Sequence, residues 1–169
     1  MTAMIFPDTR HRHTSCLTKA RKRLDKRAQE RSKKLGVNDK RVFDILLSEH
    51  RSFSAYEVAE QVAQTDKRLQ ANQVYRAVET LIDLGVAHRV ELKNGFMACH
   101  STDECAAQQI LICSSCKQVA ELEHSKLHAT ITHSVEETGF VPGHQKLELL
   151  GLCPMCADGE THNNLEGRL

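Results

Sequence analysis

Four cysteines stand in two pairs, Cys113-Ser114-Ser115-Cys116 and Cys153-Pro154-Met155-Cys156, each with C-x-x-C spacing. Two thiolates on one tight turn can hold the same tetrahedral ion, at about 2.3 Å per bond. Two such turns complete a four-sulfur shell that suits structural zinc and leaves no open position for a reaction. Redox dithiols or disulfides are the competing reading, and two pairs bracketing a small domain favour the metal. The stretch between the pairs is longer than in a compact zinc ribbon. The ion would therefore staple together the two ends of a small domain.

The elements that must carry these turns are legible around them. Gln109 to Ile112 reads as a strand entering the first pair and Gln118 to Leu122 as a strand leaving it. His124 to Thr138 reads as a helix, with Leu127, Ile131 and Val135 at i+4 spacing and Gly139 at its end. Gln145 to Leu150 reads as a strand running into the second pair. The result is a small α+β unit with a loose tail after residue 156.

Upstream, the pattern is helical. Residues 1–17, with His11 and His13, read as a terminal tail. A basic helix follows from Lys19 to Lys33-Lys34, stopping at Gly36, with a thin apolar stripe of Leu17, Leu24, Ala28 and Leu35. Asn38 is placed to cap a helix through Val42, Phe43, Leu46 and Leu47. Ser54-Ala55-Tyr56-Glu57 is a capping box opening the next helix. Asn72 is placed to cap a third, with Val74, Ala77, Val78, Leu81 and Ile82 on its buried face and Gly85 closing it. Val86 to Glu91 and Phe96 to His100 flank Asn94-Gly95, a hairpin signal because both turn positions favour positive φ. Three helices and a hairpin predict a winged helix, which places residues 18–100 in a DNA-binding domain, 101–104 in a hinge and 105–157 in a second domain.

The totals narrow the class. A chain of 169 residues with no Trp and only seven Phe and Tyr has a modest core, and a metal staple suits that shortage. Seven cysteines, an odd number, argue against a fully paired disulfide framework. No apolar run approaches the roughly 18 residues of a membrane span and no signal-like apolar segment opens the chain, so a cytoplasmic protein with reduced thiols is expected. The net charge of +1 conceals a division: residues 1–100 carry 19 Lys and Arg against 12 Asp and Glu, whereas residues 101–169 carry 4 against 10. The basic half is suited to a polyanion and the acidic half to other work. An enzyme is disfavoured, since no Ser-His-Asp pattern, Gly-rich phosphate loop or H-E-x-x-H is present. A zinc-stapled protein adaptor fits the charge division poorly.

Asn72-Gln73-Val74-Tyr75-Arg76-Ala77-Val78, then Leu84-Gly85-Val86-Ala87-His88-Arg89, resembles the recognition-helix and wing segment of the ferric-uptake-regulator family. With Cys113, Cys116, Glu121, His144, Cys153 and Cys156 the resemblance covers roughly residues 20–156, and the zinc-uptake branch fits best. The family's usual Thr-Pro is replaced by Asn38-Asp39, and Pro is absent ahead of Val74; both departures touch helix starts.

The resemblance implies a winged-helix domain joined to a small α/β dimerisation domain with a structural zinc held by the four cysteines. It also implies a regulatory zinc held by His88, Cys99, Glu121 and a ligand from the interdomain loop. No His stands at that loop position; Cys105 is nearest in register, followed by Asp103 and His100. His128 and His144, with His100 or Asp103, are candidates for a third metal site, which the family sometimes carries. For DNA the resemblance points to Tyr56 and Arg76, with Arg89, Lys93, Lys67, Arg68 and the basic helix as phosphate contacts. Tyr75 is left between DNA contact and packing. The implied function is zinc-dependent repression: a zinc-loaded homodimer binds palindromic operators of zinc-acquisition genes. The thiolate at Cys99 favours zinc over iron, since iron and peroxide sensors of the family are expected to use nitrogen and oxygen ligands. Those sensors, and a thiol-redox sensor using Cys99 and Cys105, are the alternatives.

Overall fold

The computed structural model describes residues 6, 13–65, 67–100, 109–122, 124–143 and 145–159, with the side chains of 13–16 excepted. Helix α1 (His13–Glu30) lies ahead of three shorter helices, α2 (Val37–Ser48), α3 (Ala55–Thr65) and α4 (Ala71–Asp83). A hairpin follows, β1 (Ala87–Val90) and β2 (Gly95–Ala98). The second part comprises β3 (Gln109–Cys113), β4 (Val119–Leu122), α5 (Ser125–Glu136), β5 (Leu147–Gly151) and the short α6 (Pro154–Ala157).

The helices form because their apolar residues recur on one face. In α4, Val74, Ala77, Val78 and Leu81 follow an i, i+3, i+4, i+7 rhythm and are buried against α2 and α3. Ile82, expected on that face, is exposed, and Leu84 fills the core instead. Ser54 Oγ accepts from the Glu57 N–H while Glu57 accepts from the Ser54 N–H, which completes the box that opens α3. The other two starts differ from expectation. Asn38 lies inside α2, whose cap is Gly36, and Asn72 lies inside α4, whose cap is Gln70. In each case a side chain in the first turn reaches back: Asp39 accepts from the Gly36 N–H and Gln73 from the Gln70 N–H.

Helix α1 begins at His13, inside the segment read as a tail, and ends at Glu30, well short of Gly36. The chain turns at Ser32, where φ is 50°. Lys33 and Arg31 then fasten onto Asp83 at the end of α4, so these two cations hold α1 to the core. Its buried stripe is Ala20, Leu24 and Ala28.

The hairpin is antiparallel, with Val90 opposite Gly95 and His88 opposite Met97. It does not close by a two-residue Asn-Gly turn. One 3-10 turn, Glu91–Lys93, fills the loop, and only Asn94 takes the left-handed conformation, at φ 46°. Gly95 has a separate reason to be glycine: a Cβ there would lie 2.9 Å from the Phe53 carbonyl oxygen, because Phe53 and Phe96 pair as a bridge.

Alternation along the hairpin assigns its two faces. Ala87, Phe96 and Ala98 join the helical core. Val90 and Met97 point the other way and pack with Ile110, Ile112 and Val119 of the three-stranded sheet, whose order is β4-β3-β5. Strands β3 and β4 are antiparallel, whereas β3 and β5 are parallel, and α5 connects β4 to β5. The loop after α2 is tied to the same sheet, since the Val119 N–H donates to the His50 carbonyl at 2.9 Å.

Candidate metal centres

Cys113 ends β3, Cys116 lies on the turn that follows, Cys153 comes two residues after β5, and Cys156 lies in α6. Parallel pairing of β3 with β5 sets Cys113 opposite Gly151, and the Ser114 N–H donates to the Gly151 carbonyl at 2.8 Å. That register brings the two turns together, and the four sulfurs converge within 4.8 Å of one another. Cys116 Sγ lies 3.7 Å from Cys153 Sγ. This is far too long for a disulfide, whose sulfurs are about 2.05 Å apart. It matches the edge, about 3.8 Å, of a tetrahedron with bonds of about 2.3 Å.

The thiols are prepared for a cation. Burial pushes Cys113 up, but N–H groups of Cys153, Cys116 and Ser115 and the Cys116 thiol outweigh it and bring its pKa down to about 6. Burial raises Cys116 and Cys153 instead, as neighbouring thiols add to the cost of further charge. Four thiolates in so small a space need a cation to be stable together. The cluster fits a structural zinc site.

The second group joins the two parts of the chain. His88 comes from β1 and Cys99 immediately follows β2, both on the hairpin face that meets the sheet, while Glu121 comes from β4. His88 Nε2 lies 3.1 Å from Glu121 Oε1, and Cys99 Sγ lies 3.8 Å from Glu121 Oε2. All three donor atoms fall within 4.8 Å of one another. One imidazole, one thiolate and one carboxylate suit Zn²⁺ and leave a tetrahedral position for a fourth ligand.

Their surroundings fix the geometry. The Glu121 side chain is 6% exposed, and its Oε2 accepts from the His100 backbone N–H at 3.0 Å. The Arg23 guanidinium of α1 donates to the Cys99 carbonyl, so a cation expected on a phosphate-binding face is spent on holding this ligand. Burial opposes charge on His88, but its hydrogen bonds to Cys99 and Glu121 and their charges prevail and raise its pKa to about 9. Burial pushes Glu121 up, whereas His88 and the charge and backbone N–H of His100 hold it below the ordinary carboxylate range.

Of the other candidates, Cys105, Asp103 and His144 lie outside the described residues. The His100 ring lies against His50, with centroids 4.3 Å apart and planes tilted by 39°. His128 is half-buried on α5, and His124, which opens the segment read as a helix, caps α5 by accepting the Leu127 N–H at Nδ1. On the helical face, Tyr56 is 73% exposed and Arg76 is exposed at the second turn of α4. Tyr75 meets the Phe96 ring edge-on at 5.9 Å, which gives it a packing role while leaving part of it open to solvent. Arg89 is paired with Glu91 at 3.0 Å. The roles of Arg23 and His50 had no signal in sequence spacing, because both act across long separations.

A closed thiol cluster beside a donor set shared between a winged helix and a second unit belongs with the metalloregulators of transcription. The family is the ferric uptake regulator family, whose model matches residues 30–150, and the chain belongs to it. It is 30% identical over 111 residues to the zinc uptake regulation proteins of Escherichia coli (strain K12) and Shigella flexneri. The chain spans 64% of the length of these curated relatives, and the alignment covers 64% of the chain. Among solved structures it resembles holo XcZur, with 28% identity, a TM-score of 0.70 and coverage of 86% of this chain and 99% of that one. It shares its fold with a zinc uptake regulator complexed with zinc and DNA, at 24% identity and a TM-score of 0.76, covering 89% and 99%.

Proposed function

We propose that the chain is a zinc-responsive repressor. The observation that supports this most is the donor set at the junction: His88 and Cys99 come from the wing and Glu121 from the sheet, so a zinc ion bound there would favour one orientation of the two units. A ligand shifts a conformational equilibrium only by its differential affinity for the two states. An arrangement with the units apart cannot assemble the shell, which supplies that difference. Cys105, with Asp103 and His100 as the other candidates, would provide the fourth ligand, and His128 and His144 a further site. The hinge would be residues 101–104, between units at 18–100 and 105–157.

In a two-fold dimer, a fixed hinge sets the spacing of two recognition helices, which must match half-sites about one helical turn apart or a multiple of it. The apolar residues of α5 and β5 support dimerisation: no residue of α5 is buried within one chain, and Leu149 and Leu150 are 47% and 57% exposed. Arg76 on α4 would read base edges, Tyr56 would contact DNA, and Arg89, Lys93, Lys67 and Arg68 would meet phosphates. The zinc-loaded dimer would bind palindromic operators of zinc-acquisition genes in the cytoplasm and block their transcription. At 30% identity, the zinc uptake regulation proteins support zinc over iron as the signal.

The test is zinc content of the reduced protein before and after mild chelation, followed by DNA binding. Zinc per chain, two ions or more at the start, should fall to the one held by the four cysteines, with parallel loss of binding to a palindromic duplex selected from a random library. Cys99→Ser should lose the exchangeable zinc of the junction and show no zinc-dependent DNA binding. One zinc that never leaves, or a Cys99→Ser variant with unchanged zinc dependence, overturns the proposal.

A further inference from the structure

The sheet presents two buried carboxylates to the wing, and the metal centre uses only one. Ile110 of β3 pairs with Glu121 of β4 on one side and with Glu148 of β5 on the other. The three therefore form a row across the sheet, on the face that packs against Val90 and Met97. The Glu121 and Glu148 side chains are similarly buried, at 6% and 8% exposed. Glu121 faces His88 and Cys99, whereas Glu148 faces the hairpin's own backbone.

The contact is two-pronged. Glu148 Oε1 accepts from the Glu91 N–H and Oε2 from the Leu92 N–H, each at 2.8 Å. These amides open the 3-10 turn that closes the hairpin, and N–H groups at the start of a helical turn have no partner within it. Lys146 completes the contact: its Nζ is 2.9 Å from Glu148 Oε1 and donates to the Arg89 carbonyl. Residues 89–92 are thus gripped by two side chains more than fifty positions away in sequence.

We infer that Glu148, supported by Lys146, is a positioning residue that clasps the wing to β5 and so presents His88 and Cys99 to Glu121. The hairpin then meets the sheet through two polar anchors on the two edge strands, with the Val90 and Met97 contact between them. An ion can assemble the Glu121 anchor only when the hairpin is already seated, and the Glu148 anchor seats it without an ion. Apparent zinc affinity is reduced by whatever fraction of the protein is not in the binding-competent arrangement, so the clasp tunes the zinc concentration at which the site fills. Its consequence for DNA rests on the repressor reading; the clasp itself does not.

The experiment uses the full reduced chain with the four-cysteine site zinc-loaded. Zinc affinity at the second site is measured by competition with a chromophoric chelator, and amide exchange is followed across residues 89–98. Glu148→Gln should lower that affinity roughly tenfold, the scale of charge-assisted hydrogen bonds, and speed exchange in the hairpin while the four-cysteine site keeps its zinc. Lys146→Met should act in the same direction by a smaller factor. Faster hairpin exchange with zinc affinity unchanged in both variants would reduce Glu148 to a local cap and overturn the inference. If Glu148→Gln does not fold, Lys146→Met decides: a lowered affinity supports the clasp and an unchanged one overturns it. If zinc affinity falls as expected but the native protein binds no DNA at any zinc level, the clasp stands and the repressor reading fails.

Discussion

His88 is held by its neighbours in one charge state and required by zinc in the other. Without an ion, Cys99 and Glu121 keep the imidazole protonated, with a pKa near 9 against an ordinary 6.5. A raised folded-state value stabilises the protein fully below the unfolded pKa and loses that contribution as pH rises through the folded one. The protein without zinc at His88, Cys99 and Glu121 should therefore lose stability between about pH 6.5 and 9, a loss absent in His88→Gln, as thermal melts across that window would show. Zinc, by contrast, needs neutral imidazole, so its affinity should rise by about tenfold per pH unit between pH 7 and 8 for each proton displaced. Calorimetry in buffers of different ionisation enthalpy should detect at least one proton released. The four-cysteine site behaves differently, since its loss removes the staple of a small sheet. Cys153→Ser should bind no zinc there and unfold at least about 10 °C lower, read by circular dichroism with zinc content measured alongside.

The wing and the helix beside it show where local pattern is sufficient and where it fails. Burial periodicity places α2, α3 and α4, because an apolar face is a local property of the chain. Asn38 and Asn72 are not the caps, because side chains in the first turn, Asp39 and Gln73, satisfy the backbone from inside the helix. The hairpin's turn departs from expectation for another reason. Its first two amides are met by Glu148, a partner no local rule can see, and a 3-10 turn is stabilised where a two-residue turn is expected. Gly95 belongs to the same geometry. Gly95→Ala places a methyl against the Phe53 carbonyl and should cost about 1–3 kcal/mol in denaturant unfolding. Arg76 stands on the open face of α4, and Arg76→Ala should weaken binding to the selected duplex by about 1–3 kcal/mol and relax preference at one base pair, at fixed salt.

The two halves of the molecule differ in what one chain can complete. The helical core closes on itself around Phe43, Phe53, Leu46, Leu47 and Leu81, all fully buried. The second half leaves Leu149, Leu150 and Leu152 exposed and contains a helix, α5, with no buried residue. Leu149→Glu should convert a dimer to monomers in sedimentation analysis without loss of the four-cysteine zinc. From the sequence, the cysteine staple could be anticipated from its C-x-x-C spacing, whereas the grouping of His88, Cys99 and Glu121 was legible only through the family resemblance, because the three stand far apart in the chain. The grip of Glu148 and Lys146 on the hairpin, and the contact of Arg23 with the Cys99 carbonyl, could not be anticipated, since each joins residues far apart in the chain. The most direct measurement is the affinity for a selected palindromic duplex across buffered free zinc, with the four-cysteine site kept loaded and Fe²⁺ as the comparison. Binding that rises steeply with zinc, is not reproduced by Fe²⁺ and is abolished in Cys99→Ser is the expected result. Binding independent of zinc, or equally supported by Fe²⁺ and intact in Cys99→Ser, would contradict zinc sensing at His88, Cys99 and Glu121.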